Sequence, residues 1–255
     1  MLEGSATVAM IDYLLRDTGK SSRDIPDLDP SLLLGNVNDS PELSSAPIVI
    51  QDEMLFPYVA GSSFTQHVLK ASGGWAGLHR LFDNPPVSTQ QILHPDLYLQ
   101  NVMPQAVNLA PVLKVVPRGW KKLDENNVGE LFWHVILKQY IGADRADELS
   151  PGWAGDRYDL VSLGGKSDAL VWATAWDTPI DAAEFVDALD TALPARYKGL
   201  QQRSHGTDRR RFEGGGRTVE VDAVTVDGHP VVLLTDVPAG VSPDLVDPAR
   251  IRIAH

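Results

Sequence analysis

Cysteine is absent from all 255 residues. That excludes a disulfide framework, a thiolate metal site and a cysteine nucleophile. It leaves the compartment open. Basic residues are scarce: 22 Lys and Arg stand against 34 Asp and Glu, giving a formal net charge of −12. Contacts to a phosphate backbone need a basic face, so this balance argues against nucleic acid. It argues equally against an anionic lipid surface. A solvated acidic exterior is the plainer meaning of the charge. No apolar run approaches the length of a membrane span, and the first residues carry no basic stretch followed by an apolar core. As written, the chain reads as one made and kept in the cytosol. Three catalytic signatures are also missing: the HExxH pair of a zinc hydrolase, the GxSxG elbow and the GxxxxGK[ST] phosphate loop.

What remains has a globular balance, 43% hydrophobic and 22% charged residues. The first stretch is apolar at helical spacing from about Glu3 to Asp17, with Val8, Ile11, Leu14 and Leu15 as core positions and Gly19 as its stop. Glu3, Thr7, Met10 and Leu14 share one stripe of that helix, which points Glu3 where apolar side chains point. A chain that opens inside a helix reads as the tail of something longer. Residues 20–46 form a long polar loop with one short turn at Leu32-Leu33-Leu34. Helical periodicity returns from Ile48 to Ser72, where Pro57 should kink or restart the helix. Ser88, with Gln91 as its capping-box partner, opens a turn that meets His94-Pro95. Residues 103–119, with Pro104, Pro111 and Pro117, read as extended or irregular. Asn126 or Asn127 caps a helix through Tyr140.

After Pro151 the pattern changes. Alternation over 157–161 and 169–176, broken by Gly164-Gly165, is a hairpin signature. Asp177-Thr178-Pro179 opens an amphipathic helix. Further strands follow at 210–212, 218–226 and 231–235, with Asp227-Gly228 as a turn. The predicted fold is α+β: a mainly helical portion, 1–150, packed with a two-layer β-β-α-β-β portion, 151–255.

Seven histidines are present, and no two sit four apart on one helix as a helical zinc pair requires. His94 lies at a rigid corner, where fixing that corner is its expected role. Glu130 and His134 are one turn apart and should pair with each other. Arg203, Arg209, Arg210 and Arg211 form the one basic cluster, expected to be a solvated strand edge or an intramolecular ion-pair site. Gly152 to Tyr158 and Trp176-Asp177-Thr178 are expected to pack as a seam between the two portions, with Asp156 and Arg157 as a charged pair at its rim.

In order along the chain, Glu3-Gly4-Ser5-Ala6-Thr7, Phe56-Pro57-Tyr58-Val59-Ala60-Gly61, Gly73-Gly74-Trp75, the run from Pro85-Pro86 through Ser88-Thr89-Gln90-Gln91-Ile92-Leu93 to His94-Pro95, Gly129-Glu130, Gly152 to Tyr158 and Trp176-Asp177-Thr178 resemble the motif series of bacterial gluzincin-like zinc metallopeptidases. The likeness runs from Glu3 to about Leu193. It implies that Glu3 is the third zinc ligand of an enzyme that acts on peptides or proteins and is exported in its full-length relatives. Ser5 and Gln90 depart from the acidic residues usual at their places. The two histidines and the general base of HExxH are absent. One carboxylate cannot hold catalytic zinc, so the resemblance implies Zn2+ in the intact enzyme, none bound by this chain alone, and no peptide hydrolysis by it. Glu3 is then expected to be exposed or paired locally. The rival expectation is a non-catalytic binding protein derived from such an enzyme.

Overall fold

The computed structural model describes residues 1–26, 28, 40–109, 120–162 and 168–254. The turn expected at Leu32-Leu33-Leu34 and the Gly164-Gly165 turn lie outside them. The fold is α+β, with helices toward the N-terminus and an antiparallel sheet toward the C-terminus. It forms two compact units, Met1–Met103 and Pro104–His255. The division falls earlier than the expected one near 150. The helices Glu130–Ile141 (α7) and Ala143–Leu149 (α8) bury Trp133, Leu137, Ala146 and Leu149 in the same core as Trp153, Trp172 and Phe185, so they belong with the sheet.

The first unit is built on two helices, Leu2–Leu15 (α1) and Ile48–Ala71 (α3), with Pro41–Ser44 (α2), Trp75–Asp83 (α4), Thr89–Leu93 (α5) and Pro95–Leu99 (α6) around them. Val8 and Ile11 of α1 meet Phe64, Val68 and Leu69 of α3, and Leu78, Leu81 and Ile92 complete the core. Phe64 packs edge-on against Tyr98, ring centroids 5.2 Å apart. Helix α3 runs unbroken through Pro57 rather than restarting. Proline removes one hydrogen bond to the residue four positions back. That residue, Glu53, is exposed, so its carbonyl can reach water instead. Asp12 ties α1 to its neighbours: Oδ1 accepts from Ser22 N at 2.6 Å and Oδ2 from Trp75 Nε1 at 2.6 Å. Burial pushes its carboxyl up, but these hydrogen bonds together outweigh that and hold it below its ordinary value.

The second unit is organised on a seven-stranded antiparallel sheet. Its strands are Lys121–Asn126 (β2), Trp153–Ser162 (β3), Asp168–Trp176 (β4), Gln201–His205 (β5), Arg209–Gly214 (β6), Arg217–Val226 (β7) and His229–Pro238 (β8), in the spatial order β2-β3-β4-β8-β7-β6-β5. Ala106–Asn108 (β1) pairs with Arg252–Ala254 (β9) in a separate two-stranded sheet. Strand β4 shows how both faces are filled. Leu170, Trp172 and Trp176 point into a core with α7, α8 and the helix Pro179–Arg196 (α9), while Ala169, Val171, Ala173 and Ala175 point into a second core with Val107, Leu245 and Ile251. Period-two alternation sorts them, as strand geometry requires. The expected hairpin is the β3–β4 pair, with Tyr158 opposite Trp172. Asp227-Gly228 turns β7 into β8, both residues at positive φ, as a two-residue hairpin of this twist demands. Thr178 caps α9 as expected: its Oγ1 accepts from Asp181 N at 3.2 Å, and Asp181 Oδ2 accepts from Thr178 N at 2.9 Å.

The C-terminal end of α9 is fastened by Tyr197, whose hydroxyl donates to Asp236 Oδ2 at 2.5 Å while Arg217 Nε donates to Oδ1 at 2.7 Å. Burial first, then the Asp236 carboxylate, pushes the Tyr197 phenol up to about 12. From its ordinary value of 10.0 up to that point, the unfolded chain gives up this proton and the folded chain keeps it, so stability falls as pH rises. The linkage ceiling is about 2.7 kcal/mol, reduced because the ring is only half-buried and solvent screens it. Tyr197→Phe is expected to remove this alkaline loss. Urea denaturation of both proteins at about pH 9 and about pH 11.5 reads it, and equal slopes for the two would contradict it.

Candidate functional sites

Glu3 stands exposed on the first turn of α1. The stripe assigned to it is not the core face. Met10 and Leu14 are exposed together with Leu2 and Tyr13, and only Thr7 is buried. Thr7 Oγ1 donates to Glu3 O at 2.9 Å. The packed face is led by Gly4, Val8 and Ile11. Gly4 lies so close to α3 that a Cβ there would fall 2.1 Å from the Gly61 carbonyl. That approach seats the helix against α3 and leaves the Glu3 carboxylate facing water.

His94 occupies the expected corner. Its N–H donates to Gln90 O at 2.7 Å, closing α5, and its carbonyl accepts from Leu97 N at 2.9 Å, opening α6. Ser88 Oγ caps α5 by accepting from Gln91 N at 3.2 Å. Gln91 is not the reciprocal capping partner. Its Oε1 accepts from Val87 N at 2.8 Å and its Nε2 donates to Val102 O at 2.7 Å, which fixes the loop on both sides.

The expected Glu130–His134 pair does not form. Glu130 is buried at the start of α7, whereas His134 Nε2 contacts Asp147 Oδ1 of α8 at 2.7 Å. A residue on the adjacent helix reaches the imidazole, so the local one-turn pairing is not used.

The segment Gly152 to Tyr158 and Trp176-Asp177 lie inside the second unit and form its core and bracing. Gly152 O accepts from Asp177 N at 2.8 Å, joining the start of β3 to the end of β4. Trp176 is fully buried against Phe185, centroids 4.5 Å apart, and its Nε1 donates to Thr174 Oγ1 at 2.9 Å. Asp156 is no rim residue. It is 5% exposed and accepts from Gly129 N at 3.0 Å, Val128 N at 3.1 Å and Trp172 Nε1 at 2.9 Å. It thereby caps the N-terminus of α7, where Gly129 has no side chain to do so. Burial raises its carboxyl above the ordinary value against the pull of those donors. Arg157 points the other way, its Nη2 on Glu125 Oε1 at 2.5 Å. Tyr158 OH donates to Asp124.

The arginine cluster is an ion-pair site. Arg209 meets Asp222, Arg211 meets Glu213, and Arg210 meets Asp187 and Asp190. Arg210 is 5% exposed, a degree of burial that its place in a polar run did not signal.

Among the described residues no three His, Asp or Glu side chains lie where they could hold one metal ion together. Glu3 offers a single exposed carboxylate, whereas catalytic zinc takes three protein ligands. The residues described do not fit a zinc centre, and no catalytic step through zinc is derived from them. No described helix is long and apolar enough to cross a membrane.

These features define an α+β chain whose second unit is a sheet faced with helices. The chain belongs to the family described as a domain of unknown function, DUF8575, whose profile matches residues 115–243. No curated protein and no solved structure matches it.

Proposed function

We infer that the chain is the glutamate-bearing portion of a gluzincin-like zinc metallopeptidase, inactive by itself and acting on peptides only together with a segment that carries HExxH. The observation that carries this reading is the setting of Glu3. Its carboxylate projects to solvent from a helix whose next residue is locked onto α3, beside the exposed apolar side chains of Leu2, Met10, Tyr13 and Leu14. An exposed apolar helix face suits a packed neighbour better than water. The ordered motif series from Glu3 to Trp176-Asp177-Thr178 supplies the reaction class.

The test begins with the DNA upstream of Met1, read in all three frames for an HExxH segment. Co-expression of that segment with this chain is expected to give a protein that holds one zinc per complex by elemental analysis. Glu3→Gln should lower zinc retention about a hundredfold while leaving circular dichroism unchanged, since the side chain is exposed and a second carboxylate substitute is not at hand. Upstream DNA without such a segment, or zinc content indifferent to Glu3→Gln, would sink the reading.

One observation favours a second reading, a non-catalytic binding module. The family match spans the sheet unit and leaves Glu3 outside it. Under this reading the purified chain carries no metal and captures one defined partner through the second unit.

A further inference from the structure

Between the first half of α9 and the β6–β8 sheet lies a cleft of about 430 Å³. That is the size of a small-ligand pocket, for which about 300–1,000 Å³ is usual. Small apolar side chains line it: Ala182, Ala183 and Val186 from α9, and Ala223 and Val231 from the sheet. Alanine on a helix face over valines leaves room that a leucine would have filled.

Arg210 stands in its wall with 7% of its side chain exposed. A guanidinium carries five N–H donors. Nε donates to Asp190 Oδ2 at 3.4 Å, Nη1 to Thr207 O at 3.1 Å and Nη2 to Asp187 Oδ1 at 3.1 Å. One donor on each Nη is left without a protein acceptor among the described residues. The two carboxylates differ. Asp190 is 20% exposed and held in place, while Asp187 is 70% exposed at the rim. Asp187 is the exposed partner of the pair and is hydrated when it turns to water, so it can yield its place on Nη2 provided another carboxylate takes that place on the buried guanidinium.

We propose that this cleft binds a small monocarboxylate with a short branched apolar body, its carboxylate taken by Arg210 in place of Asp187 and its body packed on the alanines and valines. Arginine presents donors in a planar fork that matches a carboxylate. Asp187 and Asp190 already pair with that single guanidinium, and Asp208 lines the same cleft. A ligand carboxylate therefore enters only by exchanging with Asp187, one charge for one, and the further charge of a dicarboxylate or a phosphate is left unpaired beside acids. The same small walls exclude a bulky aromatic body.

The whole chain titrated with 4-methylpentanoate, followed by ligand-observed NMR, is the test. Saturable binding is expected, with succinate, inorganic phosphate and 3-methylbutylamine failing to compete. Ala183→Phe, at an exposed helix position that fills the cleft, should weaken binding about tenfold or more. Asp187→Asn should strengthen it several-fold by removing the internal competitor. Arg210→Met should abolish it, and because that buried position also supports the fold, the two rim variants carry the decision. Absence of saturation, an affinity unchanged by Ala183→Phe, weaker binding in Asp187→Asn, or the amine binding in place of the carboxylate would each overturn the proposal.

Discussion

Gly4→Ala is expected to cost the first unit about 3–5 kcal/mol, a loss drawn from two sources that act together. The added Cβ would sit 2.1 Å from both C and O of Gly61 and 2.6 Å from Ser62 N. All three are backbone atoms of α3, so no rotamer change can relieve the overlap. Helix α1 must move outward instead. That movement separates Val8 and Ile11 from Phe64, Val68 and Leu69, all buried at present. It also strains Asp12, which holds Ser22 and Trp75 from the same helix. The reciprocal change is the control. A Cβ on Gly61 would lie 3.5 Å from Gly4 Cα, an ordinary contact. Gly61→Ala should therefore be neutral, or stabilise by up to about 1 kcal/mol through helix propensity. Urea unfolding followed by circular dichroism compares the two. Equal effects from the two substitutions would show that close approach of the helices does not govern this contact.

The same glycine explains why the Glu3 stripe faces water, although Val8 and Ile11 are buried as their spacing implies. A hydrophobic stripe is recognised by large apolar side chains, and the stripe Glu3, Thr7, Met10, Leu14 holds two of them. The face that packs begins with Gly4, which carries no hydrophobic signal and matters because it has no side chain. Val8 and Ile11 mark the inward face in the residues; that Gly4 leads it depends on a backbone approach that only the partner helix reveals.

Elsewhere legibility followed the strength of periodicity. Strands β3 and β4 alternate, α9 starts with Thr178-Pro179, and Asp227-Gly228 makes a turn by its own backbone preference, so all three were plain in the residues. Strand β2 was not. Its six residues, Lys121–Asn126, are all exposed and contain one apolar side chain, Leu123. It is a strand because β3 offers an edge to pair with, and its charges are spent on Asp159 and Arg157 across the ladder. The Asp156–Arg157 reading failed for a reason within reach. Neighbours on a strand point to opposite faces, so if one is at the surface the other is inside. The Glu130–His134 reading failed because helical spacing describes only one helix, and Asp147 comes from the next.

Asp156→Ala is expected to destabilise the second unit by about 3–5 kcal/mol, with the far-ultraviolet signal of a folded chain lost at lower urea. The substitution leaves the N–H groups of Val128 and Gly129 and the indole N–H of Trp172 without their acceptor. Each buried donor so abandoned costs about 1–3 kcal/mol, lessened where water can enter. Trp172 also lies 4.1 Å from Trp133, ring to ring, so its displacement disturbs the helix-facing core. Asp156→Asn keeps one acceptor and should lose roughly half as much. The pH dependence separates charge from geometry. The carboxyl's folded pKa is raised, chiefly by burial. The folded state therefore keeps a proton that the unfolded state has released, and stability contributed by this group is present at low pH and lost as pH rises through the folded pKa. The advantage of wild type over Asp156→Asn should then shrink from acid toward neutral pH, opposite in sign to a surface carboxylate held by a salt bridge. An advantage that grows with pH would mean that the donors around Asp156 outweigh its burial. An unchanged stability in Asp156→Ala would remove it from the fold altogether and return it to the list of groups whose burial needs a chemical reason.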